Sequence, residues 1–190
     1  VMKEEFQLDT NKIKFFAGHS LGEYSALVCA ESLTFLDALY LLHERGKSMQ
    51  EAVPIGQGGM IAVMGTTINE LTSLIKNENI TNGVCEVAND NSEGQVILSG
   101  NKKSIEKFQT ILKSKKIKSI PLKVSAPFHC SLMMPAQIKL QSELKDITFK
   151  KPDIPIICNY TASSEIDPLK LKDNIINQVT NKVRWKETME

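Results

Sequence analysis

The residues most suited to chemistry lie near the start of the chain, where a serine stands between two glycines in the stretch AGHSLGEY, residues 17–24. A Gly-x-Ser-x-Gly turn between a strand and a helix is typical of a nucleophile elbow, which exposes the serine hydroxyl at the amino end of the helix. The helix dipole and free N–H groups there favour a developing negative charge, so we expect the Leu21 N–H to be an oxyanion donor. Close passage of the chain predicts that only glycine, or something equally small, fits at Gly18 and Gly22. The alternative is a tight glycine turn that happens to contain Ser20.

A serine nucleophile needs a base, and the chain has three histidines. His19 adjoins the serine, and neighbouring side chains in such an elbow point away from each other. His43 lies two residues before Arg45 on a predicted helix, so the two side chains point to nearly opposite sides. His129, in APFHCS, remains as the candidate base. A backbone carbonyl could orient it, because the aspartates that might do so lie in polar stretches: Asp146, Asp153 and Asp167.

Composition narrows the possible functions. The chain has 190 residues, 42% of them hydrophobic, and a formal net charge of +1. These values predict a globular protein and give no argument for binding nucleic acid or a membrane surface. Four cysteines without Cys-x-x-Cys spacing suit a reducing compartment, and no metal-binding or phosphate-loop motif is present. With no signal peptide or long apolar run, we expect a cytoplasmic protein whose sequons at Asn79 and Asn159 are incidental.

The pattern of apolar residues predicts an α/β fold in two parts. Residues 1–57 and 126–190 form one α/β domain, which contains the serine turn and the histidine. Thr34 and Asp37 form a capping pair that starts a helix, and because this helix is apolar on several faces we expect it to be buried. The other predicted elements of this domain are a buried strand at 13–17, a helix at 21–29, a helix at 132–144 and a strand at 154–159.

Residues 58–125 show a different pattern of apolar residues, and this pattern predicts a small inserted domain. Strand and helix patterns alternate there in the order β-α-β-β-α-β, which is typical of a ferredoxin-like unit. The turn-rich stretch PIGQGG, residues 54–59, marks its beginning. Its predicted strands are 60–64, 84–88, 95–99 and 117–124, and its predicted helices are 69–76 and 105–113.

Four stretches resemble one known family: GHSLGEYSAL, LLHERGKSMQEAVP, PFHCSLM and NKVRW. Together they are similar to the malonyl-CoA:acyl carrier protein transacylases of bacterial fatty acid synthesis, and the resemblance runs through nearly all of the chain. It implies an α/β-hydrolase-like large domain with a ferredoxin-like insert. It also implies a monomer without a bound cofactor, which moves a malonyl group from malonyl-CoA to the phosphopantetheine thiol of acyl carrier protein.

The resemblance also implies a role for each matching residue. Ser20 resembles the nucleophile that accepts the acyl group, and His129 resembles its base. Gln178 matches the residue whose main-chain carbonyl orients the histidine, which would account for the missing acid.

Arg45 resembles the arginine that pairs with the free carboxylate of the malonyl group. A guanidinium on a buried helix can grip a carboxylate with two hydrogen bonds and so reject an acyl group that lacks one. The alternative is a cation on the helix surface that pairs with Glu44 or Gln50. Two further residues look like malonyl-selecting versions that would crowd a substituted α-carbon: Leu21 and Phe128. Arg184 is expected to make only a surface or packing contact.

The sequence departs from the family at both ends. The family has a Gly-Gln-Gly loop before the serine that supplies a second oxyanion donor, and the only such triplet here, at 56–58, follows the arginine helix. We therefore expect the chain to correspond to the middle of such an enzyme. A serine thioesterase or esterase, or an inactive carrier-binding remnant, are the alternatives. The acidic carrier could meet the lysines at 113, 115, 116 and 118, which otherwise form a solvated helix end.

Overall fold

The computed structural model describes residues 12–78 and 83–190, together with Glu5 and Asp9. The sequon at Asn79 and the parts of the two predicted domains at 1–4, 6–8, 10–11 and 79–82 lie outside the described residues. Among the described residues, no helix is long and apolar enough to cross a membrane. The α-helices are α1 (Gly22–Cys29), α2 (Phe35–Glu51), α3 (Ile68–Asn77), α4 (Lys102–Ser114), α5 (Met134–Glu143), α6 (Pro168–Gln178) and α7 (Trp185–Met189).

A small three-stranded sheet carries the serine turn. Its strands are β1 (Phe16–Ala17), β6 (Ile156–Ile157) and β7 (Ser164–Glu165), in the order β1-β6-β7. β1 runs parallel to β6, and β7 runs antiparallel to β6. The predicted strands at 13–17 and 154–159 are therefore too long. The prediction that the first is buried is wrong, because β1 pairs on one side only and Ala17 is exposed.

A four-stranded antiparallel sheet forms from β2 (Gly58–Met64), β3 (Cys85–Ser92), β4 (Gln95–Asn101) and β5 (Lys118–Pro121). With α3 and α4 the order along the chain is β-α-β-β-α-β, and the order in the sheet is β3-β4-β2-β5. Each predicted element of this segment is present. β5 is shorter than the predicted strand at 117–124, and one further backbone hydrogen bond, from the Leu122 N–H to the Met60 carbonyl at 2.9 Å, follows it.

Buried apolar side chains form a separate core in each part of the molecule. The first core joins α1, α2, α5 and α6, with Tyr24 and Leu41 fully buried. The second lies between the four-stranded sheet and helices α3 and α4, around Leu98 and Phe108. Phe128, which precedes the candidate base, packs against the first core and against the opposite face of the sheet.

Helix α2 begins as predicted, since the Thr34 side chain accepts a hydrogen bond from the Asp37 N–H at 3.1 Å. The prediction that the whole helix is buried is wrong. Leu41 is completely buried, whereas Phe35 is 63% exposed and Leu36 is 76% exposed. Only one side of α2 packs against α1 and α5, and apolar residues on every side of a helix do not reveal which side that is.

The helix predicted at 132–144 is interrupted at both ends. A 3-10 turn at Ser131–Met133 precedes α5, and another at Leu144–Asp146 follows it. Helix α6 was not predicted, although the sequence marks its start: the Asp167 side chain accepts a hydrogen bond from the Leu169 N–H at 2.9 Å, and a proline occupies the first turn. α6 ends at Gln178.

The uneven burial of α2 predicts different costs for two similar substitutions. Leu41→Ala should lower the free energy of unfolding by about 2–5 kcal/mol, because it leaves a cavity in the first core. Leu36→Ala should change it by less than about 0.5 kcal/mol, because that side chain is already in solvent. Urea titration of the 190-residue chain would measure both. Equal losses would mean that Leu36 is buried after all.

Candidate active site

Ser20 lies in the turn between β1 and α1, in a strained backbone conformation with a φ of 52°. The Ser20 N–H donates to the Asn159 side-chain oxygen at 2.6 Å, and the Asn159 amide nitrogen donates to the Gly18 carbonyl at 2.8 Å. Asn159 lies just after β6, the parallel neighbour of β1, so one side chain fastens the turn to the next strand. This support keeps the turn in its strained form.

The two glycines of the turn differ in what they tolerate. A Cβ at Gly18 would lie 2.0 Å from the Gly22 carbonyl oxygen, whereas a Cβ at Gly22 would meet nothing within 4 Å. The expectation that both positions need glycine is therefore correct at 18 and wrong at 22. The two residues approach each other closely because the α-carbon of Gly18 faces the carbonyl oxygen of Gly22. The α-carbon of Gly22 itself faces open space.

The structure brings Ser20, His129 and Gln178 into one chain of hydrogen bonds. Ser20 Oγ is 2.8 Å from His129 Nε2, and His129 Nδ1 is 2.8 Å from the main-chain oxygen of Gln178. A carbonyl oxygen only accepts, so Nδ1 must carry the proton and donate it. Nε2 is then free to accept from the serine hydroxyl, which is the arrangement that a general base requires.

Burial keeps the imidazole of His129 neutral. The side chain is 5% exposed, and this desolvation, followed by the nearby positive charge of Arg45, lowers the pKa of His129 to about 3. The hydrogen bond to the Gln178 carbonyl opposes the shift but does not overcome it. At neutral pH the imidazole is therefore uncharged, and the lone pair on its Nε2 faces the Ser20 hydroxyl.

Arg45 reaches the same point from α2. Its Nη2 donates to Ser20 Oγ and to Gln178 Oε1, both at 3.0 Å, and its guanidinium carbon lies 5.8 Å from the centre of the Tyr24 ring. The side chain is 7% exposed, and its Nε has no hydrogen-bond partner in the part of the chain that the structure describes. A buried donor without a partner is costly, so this arginine is suited to receive an anion.

The alternative that places Arg45 on the helix surface is wrong. Glu44 lies 3.5 Å from the Lys139 ammonium, and Gln50 donates to the Ser125 hydroxyl at 2.5 Å. Both proposed partners are therefore engaged elsewhere.

Two residues of the site were missed by the sequence analysis: Glu23 and Asn159. Glu23 is 1% exposed, and its Oε2 accepts from the Gln178 side-chain nitrogen at 2.7 Å and from the Asn159 N–H at 3.0 Å. Burial raises the pKa of Glu23 to about 7 against the effect of these hydrogen bonds. An acidic residue within a short helix of small and apolar residues was the available signal for Glu23. Asn159 had been set aside as a sequon.

The other two histidines lie apart from the serine hydroxyl, as expected. His19 Nε2 is 3.0 Å from the Asn91 side-chain oxygen, and its ring packs edge-on against Trp185. The His43 side chain is 75% exposed and lies 3.9 Å from Glu44.

The residues expected to shape the acyl pocket flank the reactive pair in sequence. Leu21 is 59% exposed and is the N-cap residue of α1. Phe128 is half-buried beside His129. Arg184 donates to Glu187 and to the Thr161 carbonyl, which is the surface contact expected of it.

A strained serine at a helix start, a neutral imidazole that faces its hydroxyl and a buried guanidinium beside both are the groups that chemistry at a serine nucleophile requires. Comparison with known proteins agrees with this class. The sequence model of the acyl transferase domain family matches residues 12–190, and the chain belongs to that family.

Within the family, the chain is similar to malonyl CoA-acyl carrier protein transacylases. It is 43% identical over 175 residues to the one from Salmonella typhimurium and 40% identical over 176 residues to the one from Bacillus subtilis. Each alignment covers 92% of this chain and 56% of the relative. The chain therefore spans little more than half the length of these relatives.

Solved structures show the same similarity. An acyl-carrier-protein S-malonyltransferase from Bartonella henselae superposes with a TM-score of 0.93 at 38% identity, covering 99% of this chain and 60% of that protein. A malonyl-transacylase solved in complex with a type II polyketide synthase acyl carrier protein gives a TM-score of 0.86 at 39% identity, covering 90% of this chain and 56% of the other.

The asymmetry of the serine turn predicts a contrast between its glycines. Gly18→Ala should destabilise the fold by about 3 kcal/mol or more, because its methyl group would collide with backbone that cannot move freely. Gly22→Ala should be neutral or stabilising by up to about 1 kcal/mol, because it adds a good helix former in open space. Thermal unfolding of the two variants would measure this. A Gly22→Ala loss as large as that of Gly18→Ala would contradict it.

Proposed function

We propose that the protein containing this chain is an acyltransferase that moves a malonyl group from malonyl-CoA to the phosphopantetheine thiol of an acyl carrier protein. The observation that carries the proposal is that one hydroxyl, Ser20 Oγ, meets both the His129 imidazole and the buried Arg45 guanidinium. The names of the similar proteins, which are malonyl transacylases, point to the same substrate and carrier.

In the first half-reaction Ser20 Oγ attacks the thioester carbonyl while His129 Nε2 takes the hydroxyl proton. The carbonyl oxygen becomes negatively charged, and the Leu21 N–H at the start of α1 is the proposed donor to it. When this intermediate collapses, the carbon–sulfur bond breaks, and the leaving CoA sulfur takes the proton from His129. The malonyl group is then an ester of Ser20.

The second half-reaction runs the same chemistry in reverse. The carrier thiol gives its proton to His129 Nε2 and attacks the malonyl ester. The carbon–oxygen bond to Ser20 breaks, and the serine oxygen takes the proton back from His129. The protein is unchanged at the end, and no cofactor of its own is needed because the partner carries the phosphopantetheine.

Arg45 supplies the proposed selectivity for a malonyl group. The malonyl carboxylate would accept hydrogen bonds from the guanidinium, whose Nε has no partner in the described part of the chain, and each hydrogen bond to charge would contribute roughly 1.5–3 kcal/mol. An acetyl group offers no such partner and would leave the buried charge unpaired. Leu21 and Phe128 are proposed to limit the space around the α-carbon.

The proposed architecture is an α/β-hydrolase-like domain from residues 1–57 and 126–190, with a ferredoxin-like subdomain at 58–125. The β-α-β-β-α-β order and the antiparallel sheet order β3-β4-β2-β5 support the second part. The turn that follows the parallel strand β1 and leads into α1 supports the first.

The nucleophile is tested by substitution of Ser20. With malonyl-CoA and no carrier, the unaltered protein should gain the mass of one malonyl group, and Ser20→Ala should gain none because it has no attacking oxygen. Ser25→Ala is the matched control, since it removes an exposed hydroxyl from α1, the helix that follows the Ser20 turn. Intact-protein mass spectrometry reads all three. An adduct that persists in Ser20→Ala would refute the assignment.

The carboxylate role is tested by substitution of Arg45. Arg45→Ala should lower kcat/KM for malonyl-CoA by about 10–100-fold, which corresponds to about 1.4–2.7 kcal/mol, and should affect acetyl-CoA much less. Arg184→Ala removes an arginine whose side chain donates hydrogen bonds to Glu187 and to the Thr161 carbonyl, and it should change neither rate. Steady-state assays with both thioesters measure the ratio. Equal losses for the two substrates would remove the carboxylate role.

A further inference from the structure

We infer that Glu23 is a positioning residue that holds Gln178 in the one orientation serving both His129 and Arg45. The inference rests on the proposed function, because it assigns the support for the base and for the carboxylate-binding arginine to one buried side chain.

Gln178 is the residue on which the site converges. It is completely buried at the end of α6, and its main-chain oxygen accepts from His129 Nδ1 at 2.8 Å. Its side-chain oxygen accepts from Arg45 Nη2 at 3.0 Å. Its side-chain nitrogen donates to Glu23 Oε2 at 2.7 Å and to the Ser20 carbonyl at 3.0 Å. One residue therefore contacts the nucleophile turn, the base and the arginine.

Glu23 determines which way the Gln178 amide faces. A carboxylate oxygen in these hydrogen bonds only accepts, so the amide nitrogen of Gln178 must face Glu23 and its oxygen must face Arg45. Rotation of the amide by 180° would put its NH₂ group against the guanidinium and its oxygen against the carboxylate. Both contacts would be repulsive in a site that excludes water, where electrostatic interactions are strong.

The carboxylate is itself held in place by the serine turn. Glu23 lies in the first turn of α1, three residues after Ser20, and the same oxygen that meets Gln178 accepts from the Asn159 N–H at 3.0 Å. The Asn159 side chain in turn accepts from the Ser20 N–H at 2.6 Å. The nucleophile and the residue that orients its base thus share one anchor.

This arrangement also leaves the guanidinium available. In the part of the chain that the structure describes, Arg45 forms no ion pair with a carboxylate, and its Nε has no hydrogen-bond partner. Glu23 reaches Arg45 only through the Gln178 amide, so it helps to hold the guanidinium in place without contacting it directly. A substrate carboxylate can then bind a cation that is already held in place.

The test compares three substitutions in the whole protein: Glu23→Gln, Glu23→Asp and Glu23→Ala. Gln keeps an acceptor oxygen at the same reach, and the Asn159 N–H fixes which end of its amide points inward. Asp keeps the charge but is one methylene shorter, so it withdraws from Gln178. Glu70→Ala is the control, because it removes a capping carboxylate of α3 that accepts hydrogen bonds from Thr66 and Thr67.

Three readouts separate positioning from general stability. The NMR signal of the His129 Nδ1 proton reports the hydrogen bond to the Gln178 carbonyl. The rate of Ser20 modification by a fluorophosphonate reports the nucleophile and base without any malonyl group. The ratio of kcat/KM for malonyl-CoA to that for acetyl-CoA reports whether the Arg45 guanidinium is positioned to bind the malonyl carboxylate.

We expect Glu23→Gln to stay within about threefold of the unaltered protein in each rate, while Glu23→Asp and Glu23→Ala lose about tenfold or more in the malonyl-to-acetyl ratio. Both should also shift or broaden the His129 signal, and Glu70→Ala should change neither. If Glu23→Ala does not fold, the comparison of Glu23→Gln with Glu23→Asp decides the role of Glu23, and the malonyl-to-acetyl ratio should be higher in Glu23→Gln. An order that follows charge, with Asp active and Gln impaired, overturns the inference, as does an unchanged His129 signal in Glu23→Asp.

The inference and the proposed function can fail separately. If the unaltered protein forms no malonyl adduct on Ser20, the proposed function fails. The fluorophosphonate rate and the His129 signal still decide the role of Glu23 in that case, because neither needs a malonyl substrate.

Discussion

The site depends on the hydrogen bond from His129 Nδ1 to the main-chain oxygen of Gln178. It fixes the proton on Nδ1 and so leaves Nε2 to face the serine hydroxyl. A main-chain oxygen can do this only if the chain around it is rigid. Its rigidity comes from the end of α6 and from the buried side chain of the same residue, which is held by Glu23 and Arg45. A main-chain oxygen therefore orients His129, and buried hydrogen bonds to the Gln178 side chain hold that main-chain oxygen in place.

A neutral carbonyl in place of a carboxylate changes the electrostatics of the base. An aspartate beside the imidazole would favour its protonated form, whereas here burial and the adjacent guanidinium disfavour that form. The buried carboxylate of the site lies instead on the far side of the Gln178 amide, where it acts on Arg45. A positive charge for binding an anion and a neutral base can therefore lie within hydrogen-bond reach of the same serine.

Local sequence patterns were enough to predict the serine turn, the candidate base and each helix and strand of the 58–125 segment. Ser20 stands in a motif whose geometry is set by its immediate neighbours, and His129 was reached by elimination among three histidines. Glu23 and Asn159 were missed because their importance comes from contacts 136 and 139 residues apart in the chain. The burial of α2 was misjudged for the same reason, since the side facing α5 is decided by packing that no single helix pattern contains.

Both reactive residues have positive φ angles, 52° at Ser20 and 57° at His129, although neither is glycine. Each such conformation stores energy of order 1–3 kcal/mol that surrounding contacts must hold in place. Glycine at either position would relax the backbone, but it would also remove the hydroxyl or the imidazole that the surrounding contacts hold. Any stability gained at these two positions is therefore exchanged for the loss of the groups themselves.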